Sequence, residues 1–218
     1  MAWPLWAKIL SVVAVIFLLV AIVRNADQSG YGPYDYDEFD EYYEELEASM
    51  PFIMALQMGD QELIKEILHD KPELLENATP SFDGLGPQSQ QGALFCAMLY
   101  GNADSISAVL DAGADVNHRN DDGRTALHLA ASQNKPLIVK LLVTHGADVN
   151  AQDAVGFTPL FDAAQTGAIS AGKALLEAGA NPNVTTSDGQ SPASIAKEFQ
   201  QPRFSALLSQ FLATAPKQ

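Results

Sequence analysis

Apolar residues follow three different patterns along the chain. From Leu5 to Val23 they are continuous: in LWAKILSVVAVIFLLVAIV the only charge is Lys8, and after it only Ser11 is polar. As a helix rising about 1.5 Å per residue this stretch is roughly 28 Å long, close to a hydrocarbon core of about 30 Å. Apolar residues on every face read as a membrane span before a buried soluble helix, and Trp3 and Trp6 suit an interfacial anchor. A cleavable signal peptide competes, since Lys8 and the apolar run resemble its first two regions. Cleavage after Ala26, however, would place Arg24 where a small residue is needed. Residues 1–24 therefore read as an uncleaved N-terminal transmembrane anchor. From Asn25 to Ser49 the pattern inverts, with nine acids and no Lys or Arg before Lys65. QSGYGPYDY has the composition of a flexible spacer. Phe39, Tyr42, Tyr43, Leu46 and Met50 recur at three and four residues, as in a short helix. Residues 25–49 read as an acidic, Tyr-rich linker, either a solvated tether or a docking motif for a basic partner.

Beyond Met50 the apolar pattern repeats. Gly92-Ala-Leu-Phe-Cys-Ala97, Thr125-Ala-Leu-His-Leu-Ala130, Thr158-Pro-Leu-Phe-Asp-Ala163 and Ser191-Pro-Ala-Ser-Ile-Ala196 each begin 33 residues after the last. The same offset links Gly123, Gly156 and Gly189, and the phrases VLDAGADVN, LVTHGADVN and LLEAGANPN. A period of this length predicts a solenoid. A degenerate copy precedes them, with Pro51-Phe-Ile-Met-Ala55, Gly59-Asp60 and QELIKEILHD, offset by 42 residues. The nine extra residues place an elongated loop at about Glu76–Gln91.

The chain resembles the ankyrin repeat family at each of these landmarks. The resemblance implies an all-α solenoid of about five helix-turn-helix repeats with short β-hairpin loops, behind one N-terminal transmembrane helix. The repeats fall near 50–79, 87–119, 120–152, 153–185 and 186–211, within a domain over 50–211 and before a tail at 212–218. Each landmark has a mechanical reason. Gly123, Gly156 and Gly189 can take positive φ before the inner helix. Thr125, Thr158 and Ser191 can cap it, and Pro159 and Pro192 suit its first turn. No repeat closes its own core, so stability comes from stacking, and the outermost copies act as caps. The last copy has Gln200 and Gln201 near the place of the glycine that follows the first helix elsewhere, where the third has Asn134.

Charge and chemistry then narrow the function. The chain carries 12 Lys+Arg against 27 Asp+Glu, a net charge of -15, which makes nucleic-acid phosphates an unfavourable partner. Cys96 alone allows neither an intramolecular disulfide nor a multi-cysteine zinc site. The four histidines fall in no metal-binding or hydrolase motif, so no cofactor, metal site, catalytic residue or small-molecule substrate is expected. Asp121, Asp122, Asp153 and Asp188 suit turn formation. The resemblance implies that His128 hydrogen-bonds between neighbouring loops, with Thr125 and Thr158 in structural roles beside it.

What the resemblance leaves is a concave protein-binding face of loop tips and inner-helix ends. Its positions here are Leu99, Tyr100, Arg119, Asp122, Arg124, Gln133, Val155, Phe157, Gln165 and Thr166. Asp121, Ser132, Gln152, Ala154, Thr185, Ser187, Asp188 and Gln190 lie around them. Leu99, Tyr100, Val155 and Phe157 have the character of binding anchors, with Arg119 and Arg124 between them; packing beneath neighbouring loops is the alternative for Leu99 and Phe157. The function expected is a non-enzymatic module that binds a protein partner from a membrane. Within that class an inhibitor or immunity-type protein neutralising a toxin or enzyme is an alternative, and a stabilising partner for a periplasmic enzyme another. An enzyme using Cys96, His128 or the turn aspartates is a further one. Lys8 and the terminal amine before the span, against Arg24 after it, slightly favour a cytoplasmic N-terminus. The expected setting is a bacterial inner membrane with the repeats in the periplasm.

Overall fold

Among the described residues ten helices succeed one another, and from the second repeat on they keep the 33-residue register of the sequence. The computed structural model describes residues 51–76 and 92–214. The expected anchor, the acidic linker, the long loop over 77–91 and residues 215–218 lie outside the described residues, which all belong to one compact unit. The first repeat contributes α1 (51–58) and α2 (Gln61–Asp70), followed by a single 3-10 turn, Pro72–Leu75. Then come α3 (Ala93–Tyr100) and α4 (Ala103–Asp111), α5 (Ala126–Ser132) and α6 (Pro136–Thr144), α7 (Pro159–Thr166) and α8 (Ile169–Glu177). The last pair is α9 (Pro192–Glu198) and α10 (Pro202–Thr214). Odd-numbered inner helices from α3 begin at 93, 126, 159 and 192, and even-numbered outer ones from α4 at 103, 136, 169 and 202. α10 runs past the expected limit at 211.

Stacking explains the composition of the inner helices. α5 packs on α7, and α7 on α9, through short side chains. Ala97, Ala130, Ala163 and Ala196 occupy one column and are fully buried, as is Ala126. Phe52, Phe161, Phe204 and a set of leucines supply the bulk of the core around that column. Repeat ends are clipped across as well as within the chain. Asn102 caps α4 by accepting from the Asp104 and Ser105 N–H groups. α8 has no acceptor at its own cap, Ala168; instead Asn134, one repeat earlier, accepts from the Ala171 N–H (3.0 Å). Asn134 can do so because it stands in the left-handed region (φ 53°), a conformation asparagine tolerates better than most residues.

One expectation about the fold needs correction. No β-strand occurs among the described residues. Each expected hairpin is a tight turn closed by two backbone hydrogen bonds: Asn120 N–H to Arg124 O and Gly123 N–H to Asn120 O in the third repeat, and the equivalent pairs at Asp153, Phe157 and Gly156 and at Thr186, Gln190 and Gly189. The chain enters the helix cap directly after the turn, at Thr125, Thr158 and Ser191, which leaves no residues for a ladder.

Candidate protein-binding surface

The loop tips share one plan in three repeats. Asn120, Asp153 and Thr186 recur at the family period, and each side chain folds back on its own turn. Asn120 Oδ1 accepts from the Asp122 and Arg124 N–H groups, Asp153 Oδ1 from Val155 and Phe157, and Thr186 Oγ1 from Gln190. Gly123, at φ 74°, takes the left-handed position that closes the turn. Tips are joined sideways. The Ala154 N–H donates to Asp122 O (3.0 Å), and the Arg119 guanidinium donates to Gly123 O (3.0 Å) and to Gln152 O of the next repeat. Asn117 and Asn150 add a second clip, each accepting from a backbone N–H of the following repeat, Asp148 and Asn181 (both 2.8 Å).

His128 lies beneath the tips, fully buried. Its Nε2 is 3.0 Å from Phe157 O. Because a carbonyl only accepts, Nε2 carries the proton and Nδ1 accepts from the Thr125 N–H (3.1 Å) and hydroxyl (2.9 Å). Burial holds the imidazole below its ordinary range, opposed by the Phe157 hydrogen bond. The ring thus joins the third repeat to the loop of the fourth. Thr158 makes no equivalent bridge. Its Oγ1 is buried with no hydrogen-bond partner, because Phe161 stands where the preceding repeat has His128.

In place of that histidine the fourth repeat has an aromatic and ionic arrangement. Phe157 stacks on Phe161, centroids 4.9 Å apart and planes within 8°. Next to Phe161, Asp162 is 4% exposed, and its Oδ1 receives Arg124 Nη2 at 2.7 Å. Burial pushes this carboxyl up to about 6, with Arg124 pulling the other way. Its Oδ2 is buried without a partner. Sequence reasoning passed over Asp162, though a signal existed: its column otherwise holds Cys96, Leu129 and Ile195. A lone aspartate in an apolar column requires a buried partner.

The candidate binding residues divide by exposure. Val155 (63%) and Leu99 (48%) are open to solvent, as are Arg119, Asp122, Gln133 and Thr166. Tyr100, Phe157, Arg124 and Gln165 are half-buried, the first two packed against the core. Thr125, Thr158 and His128 are interior. Cys96 is buried on α3. Among the described residues no three His, Cys, Asp or Glu side chains are placed to hold a metal, and no helix is long and apolar enough to cross a membrane.

This stack of clipped helix pairs is a repeat solenoid whose side chains are available at the loop tips and inner-helix ends. A family model described as "Ankyrin repeats (3 copies)" matches residues 52–153 and 93–186, and the chain belongs to the ankyrin repeat family. Ankyrin repeats are protein–protein interaction modules. Among its relatives is protein phosphatase 1 regulatory subunit 27 of Homo sapiens, 34% identical over 93 residues, 43% of this chain and 55% of that one. The Notch-regulated ankyrin repeat-containing protein of Homo sapiens is 29% identical over 93 residues, 43% of this chain and 77% of that one. A Danio rerio protein named for a palmitoyltransferase, ZDHHC13, is 32% identical over 98 residues, 45% of this chain. The chain spans only 14% of that protein's length, so the likeness concerns the repeats and not the whole protein.

Proposed function

We propose that the chain is a non-enzymatic binding module, held at a membrane by residues 5–23, that engages a partner protein through its concave face. The observation that carries this reading is the division of labour within each repeat. Core and clip residues are fixed by contacts between repeats, while Val155, Leu99, Asp122, Gln133 and Thr166 project from the same loop tips and helix ends without a place in the stack.

The anchor is argued from the uninterrupted apolar run and its flanking tryptophans, and the orientation from Lys8 ahead of the span and the lack of basic residues over 25–64. The N-terminus is then cytoplasmic, with the repeats in the periplasm of a bacterial inner membrane. Capture with the full-length chain, in parallel with Val155→Asp and with Lys140→Asp on outer helix α6, tests the binding face. Loss of the retained protein with Val155→Asp alone supports it; equal retention by both variants contradicts it. Reporters active on only one side of the membrane, fused after Gln218, test the orientation; a signal from the cytoplasmic reporter alone reverses it.

A further inference from the structure

The tips of the third, fourth and fifth repeats form one continuous row. Ala154 N–H bonds Asp122 O between the first two tips. Between the next two, a Cβ on Gly156 would stand 3.8 Å from the Thr186 side chain. The 33-residue register puts Asp122, Val155 and Asp188 at one place on successive tips, and all three are exposed. An apolar side chain therefore lies between two carboxylates, with Asp121 beside the first.

Charge along this row is one-sided for a structural reason. Its cations among the described residues are Arg119 and Arg124. Arg124 is paired with buried Asp162, and Arg119 is directed onto two backbone carbonyls. The ion pairs among the described residues leave out Asp121, Asp122 and Asp188. Lys140 and Lys173 belong to outer helices α6 and α8. An extended chain crossing the tips thus meets carboxylate, isopropyl group and carboxylate in turn, with Arg124 already paired to Asp162 and Arg119 tied to backbone carbonyls as the remaining cation against Asp121, Asp122 and Asp188.

We propose that this row docks a basic, extended segment of the partner protein: one cation at Asp121 and Asp122, an apolar side chain on Val155 and a second cation at Asp188. The proposal rests on the reading that the tips are the binding face, and adds the chemistry of what they bind. The tips follow helices that pack about 8–10 Å apart. A polyproline II segment advances about 9 Å every three residues with those residues on one side, so arginine, leucine and arginine at i, i+3 and i+6 match the row.

The probe is a fluorescein-labelled peptide of that pattern with proline between the three contacts, titrated against the full-length chain by fluorescence anisotropy. Asp122→Asn and Asp188→Asn should each weaken binding about threefold, the scale of an exposed ion pair. Val155→Ser should weaken it as well, Asp104→Asn on α4 should leave it unchanged, and added salt should erase the effect of the two neutralised aspartates. Equal weakening by Asp104→Asn would show that net charge holds the peptide, and would overturn the proposal. So would equal binding, or equal failure to bind, of a peptide with glutamate for both arginines. A leucine peptide lacking arginine that binds equally well and is lost with Val155→Ser would keep the tips as the binding face and remove only the cationic chemistry, so the two readings fail separately.

Discussion

Replacing Phe204 by alanine removes the ring that joins the last repeat to the stack. The side chain is fully buried, projects from α10, and covers Gly172 of α8 so closely that a Cβ there would stand 2.4 Å from Cε2 and 2.7 Å from Cζ. Loss of a buried phenylalanine costs about 3–5 kcal/mol through lost transfer energy and the residual cavity. Gly172→Ala alone forces a methyl group against the ring, at about 1–3 kcal/mol, partly offset by about 1 kcal/mol of helix propensity. In the double variant the methyl group meets a void instead of a ring. Its destabilisation should fall short of the sum of the single variants by at least about 1 kcal/mol. Because a terminal repeat has one neighbour, the damage is local. Urea unfolding of the full-length chain, followed by circular dichroism, gives the energies, and hydrogen exchange should show loss of protection in α9 and α10 with α5 and α7 retained. Additivity within about 0.3 kcal/mol, or an even loss of protection across all repeats, would refute the packing argument.

Asp162 makes stability depend on pH. Its folded-state value of about 6 stands above the ordinary 3.8, so its contribution to stability is complete below pH 4 and is lost as pH rises through 6. The stability of Asp162→Asn relative to wild type should accordingly rise by on the order of 2 kcal/mol between pH 4 and 7.5 in urea titrations; a constant difference contradicts the burial argument. His128→Ala leaves Phe157 O and the Thr125 N–H without their ring partner and should cost about 2–4 kcal/mol; a loss under about 0.5 kcal/mol in the same assay would show that the bridge is dispensable. Asn134→Gly removes the cap on α8 but keeps the left-handed backbone, and should cost about 1 kcal/mol; Asn134→Ala loses both, at about 2 kcal/mol. Equal thermal and urea stability of these two variants would remove the conformational part of that role.

Repetition made the scaffold legible in sequence. Alanine at 97, 130, 163 and 196, glycine at 123, 156 and 189, and the helix-opening Thr125, Thr158 and Ser191 each state the same local requirement several times. A chance match at one copy is thereby corrected by the others. Less legible was whatever depends on a single repeat's neighbour. Asn134 reads as a glycine substitute, and only the juxtaposition of α8 shows that it also caps the next repeat. Thr158 has the same residue type as Thr125 but lacks the histidine three positions on, so the shared motif overstated its hydrogen bonding. Arg124 and Phe157 read as partner anchors because both lie at tip positions. Their engagement with Asp162 and Phe161 could be inferred only by setting the aspartate against its apolar column. Val155 and Asp122 are exposed at one register position, and a place at a tip did not by itself separate them from the engaged Arg124 and Phe157.

The central claim, that partner recognition occurs at the loop tips and inner-helix ends, is tested most directly by photo-crosslinking from single positions in the full-length chain within its host cell. A photoreactive residue at Asp122, Gln133 or Val155 should each trap the same partner, whereas one at Lys140 or Lys173 on the outer helices should trap none. Trapping of that partner from Lys140 and Lys173, with none from the three tip and inner-helix positions, would place recognition on the opposite face and contradict the account.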